Sequence, residues 1–153
     1  MITSAERSND GILIRCVLDG TPDNVSDSLR KIRAEIERHA PGADEGLPWE
    51  LVVAEVLNNI VEHAYRDRPA GRIIVCLAFC ATGLCAVFTD YGCEMPGHRP
   101  PEGRVVELDR PPVALPEGGF GWFLIRSLTT DLRYHRVNGA NHLSLTVPRS
   151  QDV

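Results

Sequence analysis

One segment of this chain carries two opposed faces. Between about Pro48 and Arg66, the residues Val53, Val56, Leu57, Ile60, Val61 and Ala64 recur at helical spacing and span one broad face at about 100° per residue. Glu55, Asn58, Asn59, Glu62, His63 and Arg66 fill the opposite arc. Such a helix has to lie on an apolar layer. Its polar arc is unremarkable if water covers it. Two features point elsewhere. Adjacent asparagines in mid-helix are poor helix formers, and the apolar Leu51 and Val52 flank the polar arc at its start, which predicts that this end is covered. Glu55, Asn59 and His63 stand at i, i+4 and i+8, in one row along an α-helix.

The rest of the chain supplies that layer. Residues 11–18, Gly-Ile-Leu-Ile-Arg-Cys-Val-Leu, predict a strand. Thr21 can cap a helix with Pro22 in its first turn, and Val25, Leu29, Ile32 and Ile36 continue it to about Ala40, where Pro41-Gly42 breaks it. After the turn at Pro69-Ala70-Gly71, residues 72–80 and 84–89 are β-rich and joined by Ala81-Thr82-Gly83, as in a hairpin. A helix is expected over about 119–130. Residues 132–137 and 142–147 predict a closing hairpin around Asn138-Gly139, a strong turn signal. Between them, residues 91–117 hold six of the eleven prolines and show no clear period. A loop of that length is commonly a lid or binding loop, or else an insert without order.

Composition narrows the function. At 153 residues the chain is read as one domain, 43% hydrophobic and 24% charged. The formal net charge is −5, and the basic residues, all Arg except Lys31, are scattered, so nucleic-acid binding has no electrostatic support. No apolar run approaches a membrane span, and Met1–Glu6 lacks a signal-peptide core. A cytoplasmic location is expected. Cys16, Cys76, Cys80, Cys85 and Cys93 are odd in number and form no Cys-x-x-Cys pair. They read as reduced thiols, with Cys93 the one beside the candidate site.

Three short segments carry the chemistry. On the helix, Glu55 sits one turn from the Asn59 amide, a workable base beside a hard cation; Mg²⁺ prefers oxygen ligands and takes part of its coordination from substrate phosphates. Asp90-Tyr91-Gly92 follows the strand Leu84–Thr89. A carboxylate there can accept from an exocyclic amine such as adenine N6, and Gly92 lets the chain pass close to a flat base; an ordinary Asp-x-Gly turn is the plainer alternative. Gly118-Gly119-Phe120-Gly121 opens the third helix, where exposed N–H groups and the helix dipole favour phosphate; the plainer alternative is a flexible linker. There is no Gly-Lys-Ser/Thr, so this is not a P-loop. Arg99, Arg104 and Arg110 are the loop's candidate phosphate contacts.

Taken in order, Glu55-x-x-x-Asn59-x-x-x-His63-Ala64-Tyr65, Asp90-x-Gly92 and Gly119-x-Gly121 resemble the three boxes of the histidine-kinase-like (GHKL) ATPase superfamily, which includes gyrase and MutL. The wording of the first box and the short length are similar to anti-sigma-factor serine/threonine kinases of bacterial partner-switching systems. The resemblance covers about residues 11–148. It implies an α+β fold: a two-layer sandwich with helices on one face of a mixed, mostly antiparallel sheet, and ATP between helices and a lid over about 91–117. It implies Glu55 as general base, Asn59 as Mg²⁺ ligand, Asp90 on the adenine amine, Gly92 against the base, and Gly118, Gly119 and Gly121 at the phosphates. His63 is implied as support for the site wall. The implied partners are an anti-anti-sigma protein, whose serine is the substrate, and a sigma factor that the kinase sequesters; a homodimer is plausible. No phosphoacceptor helix precedes the segment, so a complete histidine kinase is not expected.

Two departures from the pattern matter. Glu94 stands where the family often has a second glycine, placing a negative charge near the nucleotide, and Gly139-Ala140 replaces a common Gly-Thr, removing a hydroxyl contact to the base. A second reading therefore stays open: the same fold used as a nucleotide-binding adaptor or phosphotransfer module with weak or no kinase activity.

Overall fold

In a computed structural model, which describes residues 1–9, 11–103 and 120–150, six strands form one sheet in the order β1-β2-β3-β4-β6-β5. The elements are β1 (Ile2–Ser8), β2 (Gly11–Asp19), α1 (Pro22–His39), α2 (Trp49–Asn59), a π-helical turn (Ile60–Ala64), β3 (Arg72–Cys80), β4 (Gly83–Asp90), a 3₁₀ turn (Pro96–His98), α3 (Phe120–Leu128), β5 (Thr130–Val137) and β6 (Ala140–Pro148). All five strand pairings are antiparallel. Among the described residues the sheet is therefore antiparallel throughout rather than mixed, as the resemblance implied.

Period-two alternation explains which face the helices cover. Ile12, Ile14, Cys16 and Leu18 of β2, Ile73, Val75, Leu77 and Phe79 of β3, and Leu84, Ala86 and Phe88 of β4 are buried on one face. The register aligns Ile14 with Leu77, Leu77 with Ala86 and Ala86 with Leu145, so this apolar face is continuous across four strands. Val25, Ile32 and Ile36 of α1, Val52, Val53, Val56 and Leu57 of α2, and Trp122 and Ile125 of α3 pack onto it. At about 25 cal/mol per Å², burial of side chains this size contributes about 1.5–3 kcal/mol each.

Local signals set most boundaries. Thr21 Oγ1 accepts the Asn24 N–H at 3.2 Å as the cap of α1, with Pro22 opening the helix. Asn138 and Gly139 both have positive φ, 50° and 79°, as a tight primed hairpin turn between β5 and β6 requires. β1 is a strand the sequence reading leaves out. It pairs with β2 from Ile2 against Val17 to Ser8 against Gly11. It is an edge strand with only Thr3 and Ala5 turned partly inward, too polar to show an apolar period, and it extends the fold beyond the expected 11–148 core.

The second helix also differs from expectation. It is α-helical only to Asn59. The Tyr65 N–H then reaches back five residues to the Ile60 carbonyl at 3.3 Å, a π turn of the kind often found at functional sites. The wide turn delivers Tyr65 to the end of the sheet where β3 begins and β4 ends. Its hydroxyl donates to the Arg72 carbonyl at 2.7 Å and accepts the Tyr91 N–H at 3.0 Å. Gly71 lies so close that a Cβ there would stand 2.4 Å from the Tyr65 ring.

Tyr65→Phe leaves that N–H and that carbonyl without their shared partner. We expect it to destabilise the chain by about 1–3 kcal/mol, seen in urea unfolding as a lower midpoint with an unchanged m-value.

Candidate nucleotide site

The site is built where the end of α2, the end of β4 and the start of α3 meet. A cavity of about 500 Å³ lies there. Val56, Ile60, Met95, Trp122 and Leu143 supply apolar walls, and Asn59, Asp90 and Asn141 supply the polar groups inside it. His63, Arg66, Asp67 and Glu94 are exposed residues around its mouth. Apolar walls with a few convergent polar groups are the usual form of a small-molecule site.

Helix α2 brings Glu55 and Asn59 to one place. A Cβ on Gly121 would lie 2.6 Å from Glu55 Oε2 and 3.7 Å from Asn59 Nδ2. The first turn of α3 therefore passes directly over the Glu55 carboxylate, and a Cβ at Gly121 would require that side chain to move. Asn59 Nδ2 is buried and has no hydrogen-bond partner among the described residues. An unpaired buried donor is costly and marks the place where a ligand acceptor fits. The expected cover at the start of the polar arc is only partly present: Val52 is fully buried, but Leu51 is 45% exposed.

His63 lies on the π turn that follows Asn59 and lines the same cavity. Its side chain is 65% exposed, with Nε2 3.8 Å from Glu62 Oε2, and it forms part of the mouth. Gly118 and Gly119 lie outside the described residues, as do Arg104, Arg110 and the expected lid beyond residue 103. Residues 91–103 do belong to the site. Arg126 of α3 donates through Nε to the Pro101 carbonyl and through Nη2 to the Pro100 carbonyl, each at 2.7 Å. Gly103, with φ +80°, lies where a Cβ would meet the Phe123 N at 2.3 Å. This stretch is thus fastened onto α3, and Pro101 becomes cavity wall.

Asp90 ends β4 at 5% exposure. Its Oδ1 accepts the Gly92 N–H at 2.9 Å and Asn141 Nδ2 at 2.8 Å. Burial pushes its carboxyl above the usual range; the Asn141 and Gly92 hydrogen bonds, then Arg136 and His142, pull it back. Gly92 serves the protein as much as any base. A Cβ there would sit 2.3 Å from the Ala64 carbonyl oxygen, which also accepts the Cys93 N–H at 2.8 Å. The glycine is needed because the β4 end crosses the π turn at backbone contact.

Asn141, Tyr134 and Arg136 are site residues that sequence reasoning missed. The hairpin does reach the site without a Gly-Thr: Ala140 is followed by Asn141, which lies opposite Asp90 in the β4–β6 register. The Asn-Gly turn fixes only the β5–β6 register, which sets Arg136 opposite Asn141, and it says nothing of the partner on β4.

The raised pKa of Asp90 has a sign. The folded chain holds its proton more tightly than the unfolded chain, so this group's contribution to stability is full at acid pH and is lost as pH rises through the folded pKa. Asp90→Asn keeps an oxygen for both donors and removes the buried charge. We expect the variant, without ligand, to match or exceed wild-type stability at pH 7 and to lose that advantage toward pH 4. Urea unfolding at a series of pH values measures it.

A sequence profile of the histidine kinase-like ATPase domain matches residues 18–147. A search of curated proteins finds no match to the chain. The matched segment contains α1 to α3, five of the six strands in whole or part, and each side chain placed in the site. Domains of this family bind ATP, usually with Mg²⁺. The antiparallel sheet, the helices on one face and the profile match agree, and the chain belongs to the histidine kinase-like ATPase domain family.

Proposed function

We propose that the protein is an ATP- and Mg²⁺-dependent protein serine kinase of the partner-switching kind, which phosphorylates a small anti-anti-sigma protein and sequesters a sigma factor. The observation that supports this most is the convergence of Glu55 and Asn59 under Gly121. A carboxylate and an unpartnered amide meet at a helix start beside a cavity that ends on a buried carboxylate.

The residues fit the ligand. Asp90 presents a carboxylate to an exocyclic amine. Asn59 offers a buried donor suited to a phosphate oxygen; turned over, its amide offers an oxygen to a hard cation. Gly121 brings the start of α3 close over Glu55 and Asn59. Mg-ATP, when bound, supplies the transferable phosphoryl group and the cation that offsets its charge. The chain's own tasks are then few. Asp90 and the apolar walls orient the base, Asn59 holds the metal-phosphate end, and Glu55 takes the proton of the attacking serine hydroxyl. Trp122, Met95 and Pro101 add apolar lining to the cavity. Positioning and charge stabilisation make up most of phosphoryl-transfer catalysis.

One observation favours the second reading, an adaptor of the same fold with weak or no turnover. Glu94 lines the cavity mouth, 3.4 Å from His98 Nε2. That places a negative charge at the rim of the cavity.

Two substitutions separate the readings. Glu55→Gln is expected to keep Mg-ATP binding and to lower labelled phosphate transfer to a co-purified partner by about 10²–10⁴-fold, the usual worth of a positioned base. Asn59→Ala is expected to weaken Mg-ATP binding itself by about tenfold, the loss of one hydrogen bond to a charged group. Transfer by Glu55→Gln at the wild-type rate would remove Glu55 from the base role. Nucleotide binding without any transfer in wild type would favour the adaptor.

A further inference from the structure

Asp90 is held by a neighbour that has no freedom left. Asn141 is 4% exposed. Its Nδ2 donates to Asp90 Oδ1 and to the Cys93 carbonyl, each at 2.8 Å. Its Oδ1 accepts from the Tyr134 hydroxyl at 2.6 Å and from Arg136 Nη1 at 2.7 Å. A primary amide has two N–H groups and can accept twice at its oxygen, so all of its capacity is used. The partners also fix its sense. Cys93 offers a carbonyl and Arg136 offers only donors, so a turned-over amide would set like against like. The Tyr134 oxygen already accepts the Met95 N–H at 3.0 Å, which leaves its proton for Asn141. Arg136 is braced in turn, with Nη1 3.0 Å from the Gly92 carbonyl.

This lock leaves Asp90 one oxygen to offer. Oδ1 holds two donors, and Oδ2 has no partner among the described residues, while the residue lines the cavity. We infer that Asn141, locked from β5 by Tyr134 and Arg136, is the positioning residue for base recognition: it holds Asp90 with a single ionised oxygen toward the cavity and so selects a purine with an amine over one with a carbonyl at that point. The inference rests on the nucleotide reading above and assigns the origin of its base preference.

The chemistry turns on one proton. An ionised Oδ2 can only accept. A six-position amine donates to it, whereas a six-position carbonyl sets lone pair against lone pair. A protonated Oδ2 would donate and reverse the preference. Asn141 is the strongest of the groups that keep Asp90 ionised against its burial, ahead of the Gly92 N–H, Arg136 and His142. From the π turn the Tyr65 hydroxyl also faces this region, on the Tyr91 N–H. His63, Arg66, Asp67 and Glu94 stand at the mouth. Without Asn141, burial acts on Asp90 with less to oppose it.

The test uses the full chain and three probes: Mg-ATP, Mg-ITP, which carries a carbonyl where ATP has its amine, and Mg-tripolyphosphate, which has no base. Each is titrated from pH 5 to pH 8 against wild type, Asn141→Leu and Tyr134→Phe. Wild type is expected to prefer ATP and to lose that preference on the acid side. Asn141→Leu is expected to move this acid limb to higher pH and to cut the ATP-over-ITP preference by about tenfold, with tripolyphosphate binding unchanged. Tyr134→Phe, which removes one oxygen from the lock, is expected to move both in the same direction by less, and it decides the matter if Asn141→Leu does not fold. A purely structural role for Asn141 would weaken all three probes alike. Variants that keep the wild-type acid limb and preference overturn the inference and leave the nucleotide reading intact. A wild type that binds neither ATP nor tripolyphosphate overturns that reading, and this inference with it.

Discussion

The register of β4 against β6 governs this structure, because it sets Asp90 opposite Asn141. The two lie on the same face as Phe88, Ala86 and Leu84, at the point where that apolar face ends. A slip of one residue would send Asp90 to the open face and expose the apolar set with it. The core and the site are therefore specified by one alignment. The burial that keeps Leu84, Phe88, Leu143 and Leu145 from water also holds a carboxylate and an amide within 2.8 Å of each other. β5 joins the same node, since Arg136 pairs with Asn141 in the next ladder.

Much of this could be read along the chain where one residue type forces one local conformation. Thr21-Pro22 marked the start of α1, and Asn138-Gly139 marked the hairpin, because caps and primed turns depend on a few adjacent atoms. The alternating apolar runs gave β2, β3 and β4. What stayed hidden depends on atoms distant in sequence. β1 gains its place from hydrogen bonds to β2 and carries almost no apolar signal. The π turn after Asn59 has no composition of its own; what accompanies it is tertiary, the seating of Tyr65 between Arg72 and Tyr91. Asn141 looked like any polar strand residue until the sheet set it beside Asp90.

The candidate site divides in the same way. Glu55 and Asn59 are one α-helical turn apart, so their meeting followed from spacing alone. His63 lies beyond that spacing, on a turn that is not α-helical, and its exposed side chain lines the mouth of the cavity. Gly92 was legible as a close-approach glycine, but the surface it approaches includes the Ala64 carbonyl, which no reading of Asp-x-Gly reveals. Glu94 was legible as a charge near the opening, and it is one of the cavity's lining residues.

These contacts make the π turn a structural joint between the two halves of the site. The Ala64 carbonyl at its end takes the Cys93 N–H and sets the closest approach of Gly92. The next residue, Tyr65, ties Tyr91 to Arg72. Gly92 in turn supplies an N–H to Asp90 and a carbonyl to Arg136. A straight α-helix through residues 60–64 would rotate these groups, and neither the carbonyl nor the phenol would arrive where the end of β4 needs a partner. The polar end of α2 that carries Asn59 and the acidic end of β4 that carries Asp90 are therefore held at a fixed relation by hydrogen bonds to backbone groups, one at the Ala64 carbonyl and two through the Tyr65 hydroxyl. Side-chain packing alone would leave that relation softer. This is what a site requires when it has to grip two ends of one ligand with groups from different elements.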